Sequence, residues 1–240
     1  MIELNSFTCS FDETILSDVN LQISEHLTIL GANGSGKSTL AKAICNLVKY
    51  SGEIKIDSKN VKDFSLKELA TTISYVPSKL DSYDDHITVF DFILLSRFAH
   101  KQPFSNYSKV DCEIVEDAIN SLQLSHLSSQ TVSSLSSGES ALVLIASALC
   151  SKSGIIIFDE PTANLDPKNS QIIASHIKKL KESHQILLIT HDLNLAHFIC
   201  SPVAFIKNRE LQYFENEFFQ DENLQNLYGV KFNSLVVVYG

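Results

Sequence analysis

Short apolar runs broken by turn residues fill the first part of the chain: Ile2 to Leu4, Phe7 to Phe11, Ile15-Leu16, Val19-Leu21-Ile23 and Leu27 to Leu30. The alternation Val19-Asn20-Leu21-Gln22-Ile23 predicts a half-buried antiparallel strand, because successive strand side chains point to opposite faces. A helix is expected from Leu40-Ala41-Lys42-Ala43-Ile44 to about Val48, and the turn Ser51-Gly52 leads into a second alternating strand, Glu53 to Asp57. Ser65-Leu66-Lys67-Glu68 has the spacing of a capping box and so opens a short helix. Ile73 to Ser78 reads as a strand stopped at Pro77.

From Asp81 to about Ser128 the periodicity is helical. Phe90, Ile93, Leu94 and Phe98 form one apolar stripe, expected to be core. A polar loop, Ala99 to Lys109, separates it from a second amphipathic segment, Cys112 to Leu124, and a strongly apolar helix is expected over Ala141 to Leu149. The all-apolar runs Ile155 to Phe158 and Ile186 to Thr190 have the character of strands buried on both faces of a parallel sheet. Between them the pattern predicts a helix from about Ser170 to Lys181. Beyond them it predicts a hairpin, Val203 to Phe214, turning at Lys207-Asn208-Arg209-Glu210. A short helix around Asp221 to Leu227 and a strand, Ser234 to Tyr239, complete the reading. No repeat, low-complexity tract or linker is visible.

With 240 residues, 44% of them hydrophobic and 20% charged, the chain suits one globular domain with a sizeable core. The formal net charge of -9 and the lack of a basic stripe argue against a nucleic-acid binder. No uninterrupted run reaches the length of a membrane span, and the start lacks the layout of a signal peptide. Five cysteines, at positions 9, 45, 112, 150 and 200, form no C-x-x-C pair. They are expected to be buried free thiols in a reducing cytosol.

The stretch that organises the chain is Gly31-Ala32-Asn33-Gly34-Ser35-Gly36-Lys37-Ser38-Thr39, which matches G-x-x-x-x-G-K-[ST] in full. It follows the strand Leu27 to Leu30 and opens a helix. Glycines there let consecutive amides converge on an anion, and the helix start adds unpaired donors and the positive end of its dipole. Lys37 would reach the β- and γ-phosphates and the Ser38 hydroxyl would ligate Mg²⁺. Leu135-Ser136-Ser137-Gly138-Glu139 is a second helix start able to face an anion, although a serine-rich cap alone is a common structural feature. Asp159 and Glu160 end a buried strand at the carboxyl edge of the sheet, where such folds bind ligands. A charged pair at a strand end can be mere solvation, but beside a phosphate loop the expected roles are Asp159 on Mg²⁺ through water and Glu160 orienting an attacking water. A second buried strand delivers His191-Asp192 to the same edge. Phe11 either packs or stacks on a nucleotide base.

In this order and spacing the motifs resemble those of the ATP-binding cassette ATPases, and the resemblance covers nearly the whole chain. The phosphate loop, the signature Leu135 to Glu139, Ile155 to Glu160, the loop Ala163 to Asp166 and His191 carry it. The implied fold class is α/β: a P-loop NTPase core with a mixed, mainly parallel sheet, an N-terminal antiparallel β subdomain and an inserted α-helical subdomain. Residues 1–240 would form a single nucleotide-binding domain, with the insertion over about 79–150. Thr88 to His100 and Leu227-Tyr228-Gly229-Val230 are similar to importers of iron-siderophores, haem and vitamin B12.

The resemblance implies hydrolysis of ATP with Mg²⁺ by a head-to-tail pair of copies. Lys37, Glu160 and His191 would be catalytic. Phe11, Gly31, Asn33 to Thr39, Ser136, Gly138 and Asp166 would hold nucleotide, and Ser38, Ser78 and Asp159 the metal. It also implies a polytopic membrane permease as partner, a substrate-binding protein indirectly, and a peripheral place on the cytoplasmic face of the membrane. Four positions depart from the family pattern: Ser78 where glutamine is usual, Ser137 for a second glycine, Phe11 for tyrosine, and no glycine in the turn before Leu27. The alternative function is an ATP-binding switch with weak or no hydrolysis.

Overall fold

The computed structural model describes residues 1–10, 14–80, 86–102 and 104–229. In chain order its elements are β1 (Ile2–Ser10), β2 (Thr14–Ile23), β3 (Leu27–Gly31), α1 (Lys37–Ile44), β4 (Ser51–Ile56), β5 (Lys59–Asn60), α2 (Leu66–Thr72), β6 (Ile73–Val76), α3 (Val89–Leu95), α4 (Lys109–Ser121), α5 (Ser137–Cys150), β7 (Ile155–Asp159), α6 (Pro167–Leu180), β8 (Gln185–Ile189), α7 (Leu193–Ile199), β9 (Val203–Lys207), β10 (Glu210–Phe214) and α8 (Asp221–Tyr228). The fold is mixed α/β. The chain divides into two compact units: residues 1–64 with 174–240, and residues 65–173.

In the first unit β1 is central to an antiparallel sheet ordered β2-β1-β4-β5. The predicted alternation is realised in β2, where Val19, Leu21 and Ile23 are buried and Asn20 and Gln22 exposed. A second layer is mainly parallel. β3 pairs in parallel with β8 on one side, Ile29 opposite Ile189, and with β9 on the other, Ile29 opposite Ala204. β10 turns back antiparallel to β9. Its turn residues Asn208 and Arg209 have φ of 52° and 70°, the left-handed pair that a tight hairpin twist requires. All five residues of β3 are buried.

Behind β3 an apolar cluster of Leu30, Ala196, Val203, Phe205, Phe218, Leu224 and Leu227 docks α7 and α8. Phe218 meets Phe205 and Phe214 at centroid separations of 5.9 and 5.5 Å. The Lys207 ammonium donates to Leu227 O at 2.6 Å, closing the end of α8.

In the second unit β6 and β7 form a parallel pair, Tyr75 opposite Ile157 and Val76 opposite Phe158. Helices α3, α4 and α5 are joined at a buried ion pair. Arg97 Nε donates to Asp111 Oδ1 at 2.9 Å and Arg97 Nη1 to Cys150 O at 2.7 Å. Asp111 Oδ2 accepts from the Ser108 amide and hydroxyl, which makes the capping box of α4.

Several expectations shift. α1 stops at Ile44 rather than near Val48, because Asn46 takes φ 55° and turns the chain. α3 ends at Leu95, so Phe98 leaves the expected stripe and is 71% exposed. α4 begins and ends earlier than Cys112 and Leu124. α7 has no counterpart in the sequence reading. All five cysteines are free thiols, but Cys112 is only half-buried and Cys200 is exposed. Phe11 and the strand expected at Ser234 to Tyr239 lie outside the described residues.

Candidate functional site

The phosphate loop leaves β3 at Gly31. A Cβ on Gly31 would come within 2.6 Å of Ile206 O, so the loop can depart there only from glycine. At its other end Gly36 has φ 102°, and a Cβ would come within 2.5 Å of the Ile15 side chain. Both positions need the conformational freedom and the small size of glycine. Between them the Ser35 amide donates to Ala32 O at 3.2 Å, and the Leu40 amide, donating to Gly36 O at 2.9 Å, starts α1. Helix α1 has Gly36 as its N-cap, a residue with no side chain to cap it. Its first amides therefore point toward the loop with the positive end of the helix dipole behind them.

Lys37 is buried, with its ammonium donating to Gly31 O at 2.8 Å and Ala32 O at 3.0 Å. That places a cation at the centre of the loop. Ser35 Oγ is buried without a hydrogen-bond partner among the described residues. A buried polar atom beside a buried cation and a ring of amides suits a polyphosphate, whose oxygens can satisfy all of them. Asn33 and Gly34 are exposed, and Ser38 and Thr39 half-buried, in the first turn of α1.

His191 lies in the same unit. β8 runs parallel to β3, and the Thr190 amide prolongs the ladder by donating to Ile29 O at 3.1 Å. The histidine, exposed, thus emerges from the same sheet edge as the phosphate loop. The next residue, Asp192, caps α7 by accepting from the Asn194 and Leu195 amides.

In the second unit Asp159 ends β7 and is 5% exposed. Its Oδ2 accepts a hydrogen bond from the Tyr75 hydroxyl at 2.6 Å. Glu160 follows with φ 52°, a left-handed conformation unusual for a glutamate. The Ala163 amide closes the ensuing turn on Glu160 O at 3.0 Å. Strain of this kind persists where the surroundings dictate it. Ser78, beyond Pro77 at the end of β6, is exposed.

The second helix start is a complete capping box. Ser136 Oγ donates to Glu139 Oε2 at 2.6 Å, the Ser136 amide donates to the same oxygen at 2.8 Å, and the Glu139 amide returns a bond to Ser136 Oγ. The Ser136 hydroxyl, and after it the amide, hold the Glu139 carboxyl below the usual range. Ser136 itself is exposed at the tip of α5, while Gly138 is buried against Asn169, whose amide a Cβ at position 138 would meet at 2.7 Å. Asn169 is fixed in turn by Asp166, which caps α6 through the Lys168 and Asn169 amides and accepts from Asn169 Nδ2. Asp166, expected to face nucleotide, thus also braces the signature helix. Tyr75 and Asn169 are the residues the sequence reading missed. The partner of Tyr75 lies 84 positions away, beyond the reach of any local pattern.

Among the described residues no group of three or more histidine, cysteine or acidic side chains could hold a metal ion. A Mg²⁺ ion brought with phosphate keeps several waters and needs only one or two protein oxygens; the Ser38 hydroxyl of the first unit and the Asp159 carboxylate of the second are each a donor of the kind such an ion takes.

The family model described as ABC transporter matches residues 16–163. The manganese transport system ATP-binding protein MntB of Bacillus subtilis is 32% identical over 235 residues, 95% of this chain and 92% of that protein. Among solved structures, a metal-chelate type ABC transporter in an inward-facing conformation superposes with a TM-score of 0.83 at 25% identity, covering 96% of this chain and 89% of that one. A dimeric ATP-binding cassette in a post-hydrolysis state, bound to ADP and phosphate, gives 0.77 at 27% identity over 90% of this chain and 98% of that one. The match in sequence, fold and phosphate-loop geometry leads to one conclusion: the chain belongs to the ABC transporter family, as an ATP-hydrolysing cassette.

Proposed function

We propose that this cassette powers a membrane importer of iron-siderophores or a related metal chelate, hydrolysing ATP at two composite sites between two copies of the chain. The observation that carries the reading is the phosphate loop itself: a buried Lys37 ammonium, an orphaned Ser35 hydroxyl and an uncapped helix start in one loop. Lys37 and residues 31–39 bind the β- and γ-phosphates, and Phe11 stacks on the base. Ser38, Asp159 and Ser78 would hold Mg²⁺, which would neutralise phosphate charge when bound. Glu160 orients and deprotonates the attacking water, and His191 contacts the γ-phosphate. Ser136, Gly138 and Asp166 of one copy close over the nucleotide held by the other.

The cargo class is supported by the importer-like segment Thr88 to His100 and by relatives named for manganese and metal-chelate transport. No helix among the described residues is long and apolar enough to cross a membrane. In this reading separate permease subunits carry the cargo, and the cassette docks to them at the cytoplasmic face. Residues 1–240 act as one nucleotide-binding domain, with the helical insertion at about 79–150.

Replacing Glu160 by Gln tests the catalytic assignment. Steady-state phosphate release should fall by about 10²-fold or more, the scale of a lost general base, with ATP binding retained. Wild-type turnover in that variant would overturn the role of Glu160. A second reading, an ATP-binding switch that scarcely hydrolyses, is favoured by the short, exposed Ser78 where the family places glutamine. Phosphate release by the unmodified chain, alone and with its permease, separates the two.

A further inference from the structure

We infer that Tyr75 is a positioning residue for the reaction: it holds Asp159 in the orientation that a nucleotide-bound divalent cation requires. The inference rests on the assignment of Asp159 to Mg²⁺ made above. β6 and β7 are parallel neighbours with Tyr75 opposite Ile157. Side chains two apart on a strand share a face, so Tyr75 and Asp159 lie on the same side of the pair. The Tyr75 hydroxyl donates to Asp159 Oδ2 at 2.6 Å, the length of a charge-assisted bond to a carboxylate.

The terminal torsion of an aspartate is broad by nature, and a bond to one named oxygen narrows it. The donor rides on a strand whose main chain is paired along its length with β7, so donor and acceptor share one rigid support. The chemistry of the donor also fits. A phenol carries no charge of its own, so its bond orients the carboxylate without adding a cation to it. Groups that hydrogen-bond a ligating carboxylate commonly set metal affinity by about 10–100-fold.

The test uses the full chain carrying Glu160→Gln, to suppress turnover, with and without Tyr75→Phe. ATP affinity is measured by calorimetry in EDTA and across a Mg²⁺ titration, and bound Mn²⁺ by electron paramagnetic resonance. Loss of the hydroxyl should leave metal-free ATP affinity within about twofold and raise the Mg²⁺ midpoint by roughly tenfold, with a parallel weakening for Mn²⁺. In an Asp159→Asn background the same change should have no further effect on the midpoint, since the two residues act as one unit. An unchanged midpoint, an equal loss with and without metal, or a further effect in the Asp159→Asn background overturns the positioning role while leaving the nucleotide site intact. A parent with no metal-dependent gain in ATP affinity overturns both.

Discussion

Lys37 is the residue where sequence and chemistry meet most closely. Its place in G-x-x-x-x-G-K-[ST] predicts a cation aimed at phosphate, and the structure buries it across the loop carbonyls. Gly36 makes the loop possible, since its φ of 102° and the nearby Ile15 methyl leave no room for a side chain. Gly36→Ala should therefore weaken ATP binding by at least tenfold, measured by calorimetry, because the donors it places would have to shift. The cysteines give a second residue-level prediction. Burial pushes the Cys45 thiol up to about 12 and the Cys150 thiol up to about 11, while Cys200 is exposed at the end of α7. An aromatic disulfide reagent at pH 8 should label Cys200 in the native protein and leave Cys45 and Cys150 unmodified until it is unfolded, because the thiolate is the reactive form. Peptide mapping after labelling reads the result.

Among the elements, those with a strict period were legible in the chain. β2 alternates, β7 is apolar up to its last residue Asp159, and Ser65, Ser136 and their glutamates announce the starts of α2 and α5. What escaped was set by contacts distant in sequence or by short length. α7 has seven residues, too few to display a period, and exists because Asp192 caps it and Leu195, Ala196 and Ile199 are buried. Phe98 fits a helical stripe on paper, but the helix ends before reaching it. The join of α3, α4 and α5 through Arg97 and Asp111 was equally invisible.

That join carries a prediction of its own. The Ser108 hydroxyl, with the Ser108 amide and Arg97 behind it, lowers Asp111 from 3.8 to about 2. A carboxyl depressed by folding stabilises above its unfolded pKa and loses that contribution as pH falls toward its folded value. Acid unfolding of the wild type should thus steepen between about pH 4 and pH 2, and Asp111→Asn should flatten that window while lowering stability at pH 7. Arg97→Met, which strands a buried carboxylate, should cost about 3–5 kcal/mol in urea unfolding. If both variants melt like the wild type, the ion pair does not tie these helices.

For the whole molecule, the central feature is that one chain carries two glycine- and serine-bearing helix starts, one at the loop 31–39 and one at Ser136, and the proposed function gives each a phosphate to face. A single copy has no need of both for one nucleotide. On the proposed reading, two copies arranged head to tail would use each start once per ATP, and cleavage of the γ-phosphate would remove the charge that joins them. Such a clamp would drive a permease only if its closed and open forms differed in nucleotide affinity. On that reading the formal net charge of -9 would set the two copies against each other when no ligand bridges them. The most direct measurement is the mass of the Glu160→Gln chain on a sizing column with light scattering. With ATP and Mg²⁺ it should double from the 26.7 kDa of one chain, and return to that value with ADP. A mass that stays at one chain with ATP, both alone and with the permease tethered, would contradict the account.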